Sequence, residues 1–234
     1  MIDFYFAPTP NGWKVGIMLE ECGLAYNTIL VRLPKGDQFK PEFLAISPNA
    51  KMPAIVDHDV DGDPISVFES GAILFYLAEK TGRFMPTDRV GRKETLEWLF
   101  WQVGNQGPIG GQLSHFVNYA PDGQDYGKSR YAGEYERNLA VLERRLDGRD
   151  YILGTDYTIA DMIAFPWAFI AKNLGSSFDD FPNVADWRER MKQRPAVRAA
   201  INLLKDKQNC GQHNAENNQM LYNQTAAHLL NKDT

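Results

Sequence analysis

The sequence predicts an α/β part followed by an all-α part. The first observation is an alternation of apolar and polar residues from Ile2 to Phe6, which has the period of a β-strand. The second is that strand-like and helix-like segments alternate up to Gly82. The third is that helical periodicity dominates from Arg92 on. The 234 residues are enough to bury a substantial core.

Local signals place the elements of the first part. Gly23 and Gly82 stand where its two main helices are expected to end, because glycine adopts the left-handed conformation of a helix C-terminus. Asp61-Gly62 predicts a hairpin turn between two short strands. Ser70 is expected to cap the second main helix. The predicted elements are strands at 2–6, 27–33, 53–57 and 64–68, a helix ending at 23, a short helix at 42–46 and a helix from 70 to 82.

The composition changes after Gly82 and predicts the domain organisation. We expect a first domain at 1–83, a linker at 84–91, an all-helical domain at 92–205 and a polar tail at 206–234. The tail is rich in Asn and Gln and is expected to be mobile or loosely docked. Four glycines and a proline are expected to break or kink the long helix that starts near Arg92: Gly104, Gly107, Pro108, Gly110 and Gly111.

Composition also excludes several classes of function. The net charge of -5 and the lack of a basic run argue against nucleic-acid and membrane-surface partners. No apolar stretch is long enough to span a bilayer, and no secretory signal is predicted. Cys22 and Cys210 form no Cys-x-x-Cys pair, which fits a reducing cytoplasm and excludes a cysteine-based thioredoxin. The four histidines have no metal-ligand spacing, so no metal is predicted.

Thr9 and Asn11 are the first candidate functional residues. They lie where the first strand gives way to a helix, whose free amides and dipole stabilise a thiolate or a carboxylate. Both side chains are hydrogen-bond donors. The alternative is that they only cap the helix, and the two residues on their own favour that alternative.

Two further segments favour ligand binding. A cis bond at Met52-Pro53 would expose the Met52 backbone, with which a peptide ligand could pair, although most bonds before proline are trans. At Glu69-Ser70 a strand gives way to a helix, whose N-terminus binds a carboxylate. Glu69 is then available for the ammonium group of an α-amino acid end. Ser70 can serve this site and cap the helix at once.

Other motifs favour structural roles. Thr158 and Asp161 are spaced as a capping box at the start of an apolar helix. Core positions are expected for Phe100 and its neighbouring tryptophans. Phe116 and Tyr119, beyond the glycine-rich segment, are candidates for the lining of a second-substrate pocket.

The order of these signals resembles the cytosolic glutathione transferases over residues 1–205. The motifs that carry the resemblance are Met52-Pro53, Glu69-Ser70 and the capping box at 158–161. Segments 6–12, 69–74 and 98–104 resemble the Nu-class bacterial transferases in particular, whose marked activity is glutathione-dependent disulfide-bond reduction. The resemblance implies a thioredoxin-like domain at 1–83, an all-helical domain after it and a cis proline.

The resemblance also implies roles for individual residues. Thr9 and Asn11 would be catalytic, at the thiol or disulfide, and Arg130 would reach a glutathione carboxylate across a homodimer interface. Glutathione would be the cosubstrate, with small-molecule disulfides or electrophiles as partners and the cytoplasm as location. The implied glutathione contacts are Asn11, Gln38, Lys51, Met52, Pro53, Glu69, Ser70 and Arg130.

Three functions remain open from the sequence. The leading hypothesis is a disulfide-bond reductase in which bound glutathione supplies the thiol, since the loop at Thr9 holds no cysteine and Cys22 is expected to be buried. The second is conjugation of glutathione to small electrophiles. The third is a glutathione-binding protein without catalysis, which the long polar tail favours.

Overall fold

The computed structural model describes residues 1–207 and 225–230, and these form two compact units. The first unit holds Met1–Ile73 together with the described residues from Ala199 on, and the second holds Leu74–Arg198. Most of the predicted tail, at 208–224 and 231–234, lies outside the described residues. The domain boundaries derived from the sequence therefore stay a prediction.

The first unit is built on a four-stranded mixed sheet with strand order β2-β1-β3-β4. β1 pairs in parallel with β2 and antiparallel with β3, which is antiparallel to β4. The alternation seen in the sequence is real, because Ile2, Phe4 and Phe6 are buried and the residues between them are not. The strands are β1 (Ile2–Phe6), β2 (Tyr26–Leu30), β3 (Ala54–Asp57) and β4 (Ile65–Phe68).

Three helices of the first unit follow the predicted order: α1 (Pro10–Cys22), α2 (Pro41–Leu44) and α3 (Ser70–Thr81), the last of which continues into the second unit. α1 is buried continuously from Gly12 to Leu19, so it has no solvent-facing stripe over those residues. Gly23 ends α1 at φ 66° and Gly82 ends α3 at φ 65°, as predicted. Cys22 is only half-buried, which corrects the expectation of a buried thiol.

The cap of α3 is one residue earlier than predicted. The Glu69 carbonyl accepts the Ile73 amide at 2.9 Å, so Glu69 takes the N-cap position and Ser70 is the first helical residue. Glu69 has φ 68°, a left-handed conformation that costs a non-glycine residue free energy. Ser70 is left free of the capping role.

The second unit is helical, which confirms the predicted all-α part. The glycine-rich segment does not break the first long helix, because Gln102–Gln106 forms a π-helical turn that joins two α-helices. The apolar helix that starts at the capping box ends at Phe169 and is followed by a 3₁₀ turn at Ala171–Leu174. The helices that follow along the chain are α4 (Arg89–Trp101), α5 (Gly107–Asn118), α6 (Asp125–Leu146), α7 (Ile159–Phe169), α8 (Pro182–Gln193), α9 (Pro195–Asn202) and α10 (Ala226–Leu230). The end of α9 and all of α10 belong to the first unit.

Three further features of the fold concern α10, the exposure of Phe100 and the length of the apolar helices. In α10 the ring of His228 packs on Phe39 with the ring centroids 5.1 Å apart. Phe100 is 67% exposed, so the expectation that it belongs to the core is wrong. No helix within the described part of the chain is both long enough and apolar enough to cross a membrane.

Asp161 organises the core of the second unit. With Thr158 it forms the predicted capping box at the start of α7. Its carboxylate also accepts the Ile152 amide at 2.9 Å and the Trp187 indole N–H at 3.0 Å. Burial raises the pKa of Asp161 to about 6, and the hydrogen bonds that the carboxylate accepts oppose that rise.

Replacing Asp161 with Asn should lower the free energy of unfolding by about 2 kcal/mol or more, because an amide cannot accept every N–H that now points at the carboxylate. Urea unfolding measures this difference. Asp156→Asn, at an exposed position nearby, should stay within about 0.5 kcal/mol of the original protein. An Asp161→Asn protein as stable as the original would show that the network is not needed.

Candidate active site

Strand register brings three of the candidate segments to one edge of the sheet. Tyr5, near the end of β1, lies opposite Ala54, the first residue of β3. Ala54 also lies opposite Phe68, the last residue of β4. The loop after β1, the loop before β3 and the turn after β4 therefore meet at the same edge. These segments carry Thr9 and Asn11, Lys51 to Pro53, and Glu69 and Ser70.

Thr9 is the N-cap of α1, with its extended backbone at φ -131° and its side chain accepting the Gly12 amide at 3.4 Å. Thr9 therefore caps the helix through its hydroxyl oxygen, and the hydroxyl proton remains for a second partner. That proton points at the Met52 sulfur, 3.5 Å away. A thioether is a weak hydrogen-bond acceptor, so a thiolate bound at this position would accept the Thr9 hydroxyl in preference to the Met52 sulfur.

Gly12 allows the loop and α1 to approach each other closely. A Cβ at this position would lie 2.4 Å from the Ala7 carbonyl oxygen and 2.9 Å from the Met52 methyl carbon. Any side chain would push Met52 or the loop away. Asn11, the residue before Gly12, is partly exposed in the first turn of α1.

The Met52-Pro53 peptide bond is cis. Pro53 is buried where β3 begins, and Met52 is partly buried. The Ser47 hydroxyl donates to the Lys51 carbonyl at 2.8 Å, which fixes the chain before the cis bond. The Lys51 side chain is exposed.

At the start of α3, the Glu69 side chain is exposed and charged, whereas the Ser70 side chain is buried and neutral. The Glu69 side chain is exposed, and one of its carboxylate oxygens lies 3.5 Å from the Asn49 amide nitrogen. Ser70 is buried, and its hydroxyl oxygen accepts from the Lys14 ammonium at 3.3 Å. A carboxylate, a helix N-terminus and a hydroxyl thus lie within two successive residues.

Gln38 lies in the segment after β2 and is only 1% exposed. Neither atom of its amide has a hydrogen-bond partner among the described residues. A buried amide without partners costs free energy, and such positions in native proteins need an explanation.

Lys14 is a site residue that the sequence does not reveal. It is 2% exposed, within the buried stretch of α1, and it holds Ser70. Burial lowers the pKa of Lys14 from 10.5 to about 7, while the Glu69 carboxylate opposes that fall. A single lysine between Trp13 and Val15 gives no signal of this kind, because most lysines are exposed.

Three other candidate residues lie in the second unit. The Arg130 guanidinium is exposed and pairs with Glu134 of its own chain at 2.8 Å. A solvent-exposed pair of this kind contributes little to stability, so Arg130 can change partner. The Phe116 ring stacks on Tyr131 with the centroids 5.5 Å apart. Tyr119 packs loosely on His115, 6.4 Å between ring centroids.

The described residues contain no cluster of three or more His, Cys, Asp or Glu side chains that could hold a metal ion. Cys22 is the last residue of α1, and Thr9 precedes the first. A helix rises 1.5 Å per residue, so about 18 Å separates this thiol from the start of α1.

Comparisons with known proteins decide the family. A model of the glutathione S-transferase N-terminal domain matches residues 9–80, and a model of the C-terminal domain of the same family matches residues 124–195. The disulfide-bond oxidoreductase YfcG of Escherichia coli is 49% identical over 203 residues, which cover 86% of this chain and 94% of the relative.

The chain belongs to the glutathione transferase family. Two solved structures of transferases agree. One from Burkholderia graminis, with two glutathione molecules bound per subunit, is 45% identical with a TM-score of 0.83, and the match covers 87% of this chain and 88% of that one. One from Pseudomonas putida, with one glutathione disulfide bound per subunit, is 40% identical with a TM-score of 0.81, over 87% and 91% of the two chains.

Membership of the glutathione transferase family confirms the resemblance and the fold class predicted from the sequence. The four-stranded sheet with its helices is the thioredoxin-like part of such an enzyme, and the helical unit is the family's second part. The individual site residues stay predictions at this point.

The buried amine of Lys14 should make stability depend on pH. At pH values between about 7 and 10.5 the lysine is neutral in the folded protein and charged in the unfolded chain. The unfolded chain then binds more protons, so the folded state gains stability as the pH rises through this window. Relative to Lys14→Met, the free energy of unfolding should rise by up to about 1.4 kcal/mol per pH unit.

Urea unfolding at pH 7.5, 8.5 and 9.5 measures this slope. Lys192→Met serves as the control, since Lys192 is a partly exposed partner of Glu189 and its replacement should leave the slope unchanged. Parallel pH profiles for the original protein and Lys14→Met would contradict the inferred burial of the amine.

Proposed function

We propose that this transferase is a glutathione-dependent disulfide-bond reductase in which bound glutathione supplies the reacting thiol. The observation that carries the proposal is that Thr9 offers a hydrogen-bond donor at a place where the described residues supply no thiol. Thr9 offers a hydroxyl proton that now goes to a weak thioether acceptor, while the described cysteine lies at the far end of α1. The thiol at this site therefore comes from the ligand.

The Glu69-Ser70 corner suits the γ-glutamyl end of glutathione, which carries both an ammonium and a carboxylate group. The exposed Glu69 carboxylate would take the ammonium group. The Ser70 hydroxyl and the N-terminus of α3 would take the carboxylate. The Met52 backbone would pair with the peptide, and the exposed Lys51 side chain and the buried Gln38 amide would be further contacts near the other end.

The chemistry is thiol–disulfide exchange in two steps. Thr9 and Asn11, at the positive end of α1, lower the thiol pKa of glutathione and so supply a thiolate near neutral pH. That thiolate attacks one sulfur of the substrate disulfide, which forms a mixed disulfide and releases the other sulfur as a thiolate that takes up a proton. A second glutathione thiolate attacks the mixed disulfide, so glutathione disulfide forms and the second substrate thiol leaves.

The ligands bound by the relatives support this scheme. The Burkholderia graminis structure holds two glutathione molecules per subunit, and the Pseudomonas putida structure holds one glutathione disulfide. These are the two reductant molecules and their oxidised product in the scheme. The name of the Escherichia coli relative, a disulfide-bond oxidoreductase, points the same way.

Conjugation of glutathione to small electrophiles is the second candidate function. It needs an apolar pocket for the electrophile, and the partly exposed rings of Phe116 and Tyr119 favour such a pocket. Both functions use the same thiol site, so rates decide between them.

We also propose that the protein works as a cytoplasmic homodimer. Val90 and Phe100 on α4 are 65% and 67% exposed, so this helix presents apolar side chains that a second copy could cover. The same helix carries Arg89, Lys93 and Glu97. In a two-fold interface each copy presents the same surface, so the basic residues of one copy can pair with the Glu97 carboxylate of the other. Arg130 would then leave Glu134 and reach a glutathione carboxylate in the partner subunit.

Side-by-side assays test the proposed function. With glutathione as reductant, the rate of reduction of a small model disulfide should exceed the rate of conjugation to an aryl halide. Changing both Cys22 and Cys210 to Ser should leave the reductase rate within about twofold, because neither protein sulfur takes part. A conjugation rate far above the reductase rate, or loss of reduction in the double variant, would reverse the proposal.

Thr9→Val should lower kcat for disulfide reduction by about a hundredfold, the usual effect of removing one donor from a developing or stabilised anion. It should also destabilise the protein by about 1 kcal/mol, since Thr9 caps α1. Thr9→Ser is the matched control, because it keeps the hydroxyl and the cap, and it should stay within a few-fold of the original rate. Steady-state kinetics with thermal unfolding separate the two effects, and an unchanged kcat in Thr9→Val would remove Thr9 from the mechanism.

A further inference from the structure

The proposed reaction has no role for Lys14, although this side chain is the most deeply buried basic group near the site. Its ammonium lies 3.3 Å from the Ser70 hydroxyl oxygen and the residue is 2% exposed. A buried ammonium is costly unless it is hydrogen-bonded, and an apolar side chain of similar volume often fills such a place at no loss of stability. Packing alone therefore gives no reason for a lysine at this position.

The charge of Lys14 lies where it completes a pattern at the start of α3. Ser70 is the first residue of that helix, whose N-terminus carries a partial positive charge. Lys14 adds a positive charge on the same side, through its contact with Ser70. Glu69, the next residue back, adds a negative charge that acts on Lys14. The corner thus offers a positive and a negative region about one residue apart, which complements an α-amino acid zwitterion.

The hydrogen bond from Lys14 also sets the direction of the Ser70 hydroxyl. A serine hydroxyl has one proton to donate and two lone pairs, whereas an ammonium group only donates. While Lys14 occupies a lone pair, the Ser70 proton points elsewhere and is ready for an acceptor on the ligand. Without Lys14 the Ser70 hydroxyl is free to rotate, and its proton no longer points in the direction of the ligand.

We propose that Lys14 is a positioning residue that acts through Ser70 and makes the site selective for thiols with a free α-amino acid carboxylate. The inference rests on the proposed function, because it assigns the γ-glutamyl end of glutathione to Glu69 and Ser70. It adds a residue that touches no reacting atom and that prepares the Ser70 hydroxyl for the carboxylate of the γ-glutamyl group.

Calorimetric binding at pH 6.5 tests the proposal with two ligands, glutathione and its analogue that lacks the α-carboxylate of the γ-glutamyl group. Lys14→Met should weaken glutathione binding by about tenfold, equivalent to one lost hydrogen bond to a charged group, and should leave binding of the analogue unchanged. In steady-state assays KM for glutathione should rise by the same factor while kcat stays constant. Lys192→Met, which removes a partly exposed lysine far along the chain from Ser70, should change neither value.

Two more variants exclude a merely structural role. Ser70→Ala should show the same ligand-selective loss, and the double variant should lose no more than Ser70→Ala alone, because both residues serve one contact. Lys14→Gln keeps a donor for Ser70 without the charge and should recover part of the affinity. If Lys14→Met does not fold, Ser70→Ala and Lys14→Gln still carry the comparison of ligands.

The outcomes separate the two proposals. If the original protein binds glutathione and Lys14→Met binds it equally well, or loses both ligands equally, the role of Lys14 is wrong and the proposed function stands. Additive losses in the double variant would overturn it too. If the original protein binds no glutathione at millimolar concentration, the proposed function fails, and the role of Lys14 fails with it.

Discussion

The register of β1, β3 and β4 is the constraint on which the candidate site depends. Tyr5 faces Ala54 and Ala54 faces Phe68, so one sheet edge gathers the loops that carry the polar groups. A slip of one residue would turn the buried side chains of a strand toward solvent, which makes this register strongly specified. The side-chain contacts between the segments of the site are long, at 3.5 Å between Thr9 and Met52 and 3.3 Å between Lys14 and Ser70, whereas the 2.8 Å bond from Ser47 to Lys51 lies within one loop. The register of the apolar strands therefore does more than these polar contacts to hold the segments together.

Burial around α1 sets the electrostatics of that edge. The helix is enclosed from Gly12 to Leu19, and Gly12 has no room for a side chain. This enclosure is what lowers the pKa of Lys14 and makes its charge responsive to the groups nearby. The positive N-terminal ends of α1 and α3 lie at one sheet edge, where the proposed site would hold the thiol and the carboxylate of glutathione at two separate places. Such a division fits a peptide thiol better than a single compact anion.

The sequence predicted the order of elements because periodicity and glycine caps are local signals. Gly23 and Gly82 end their helices where the pattern indicated. Features that depend on tertiary contacts were not predictable in this way. Glu69, and not Ser70, is the N-cap of α3, since its left-handed conformation lies outside the helix. The residue type gives no sign of this conformation, because glutamate rarely adopts it. Lys14 was missed because a helix enclosed on all sides has no polar stripe against which a buried lysine would stand out. Residue types likewise suggested the candidate site, but only the resemblance assigned them to glutathione.

The π-helical turn between α4 and α5 gives one continuous helix two orientations. A π turn holds one residue more than an α turn, so side chains beyond it are rotated about the axis by about 100° relative to an uninterrupted helix. Before the turn, Phe100 faces outward; after it, Gly110 lies so close to the Trp167 ring that a Cβ would be 2.5 Å from a ring carbon. The extra residue therefore changes which side of the helix faces the interior of the unit. The same stretch of chain exposes the Phe100 ring to solvent and, a few residues later, presses its backbone against the Trp167 ring of its own unit.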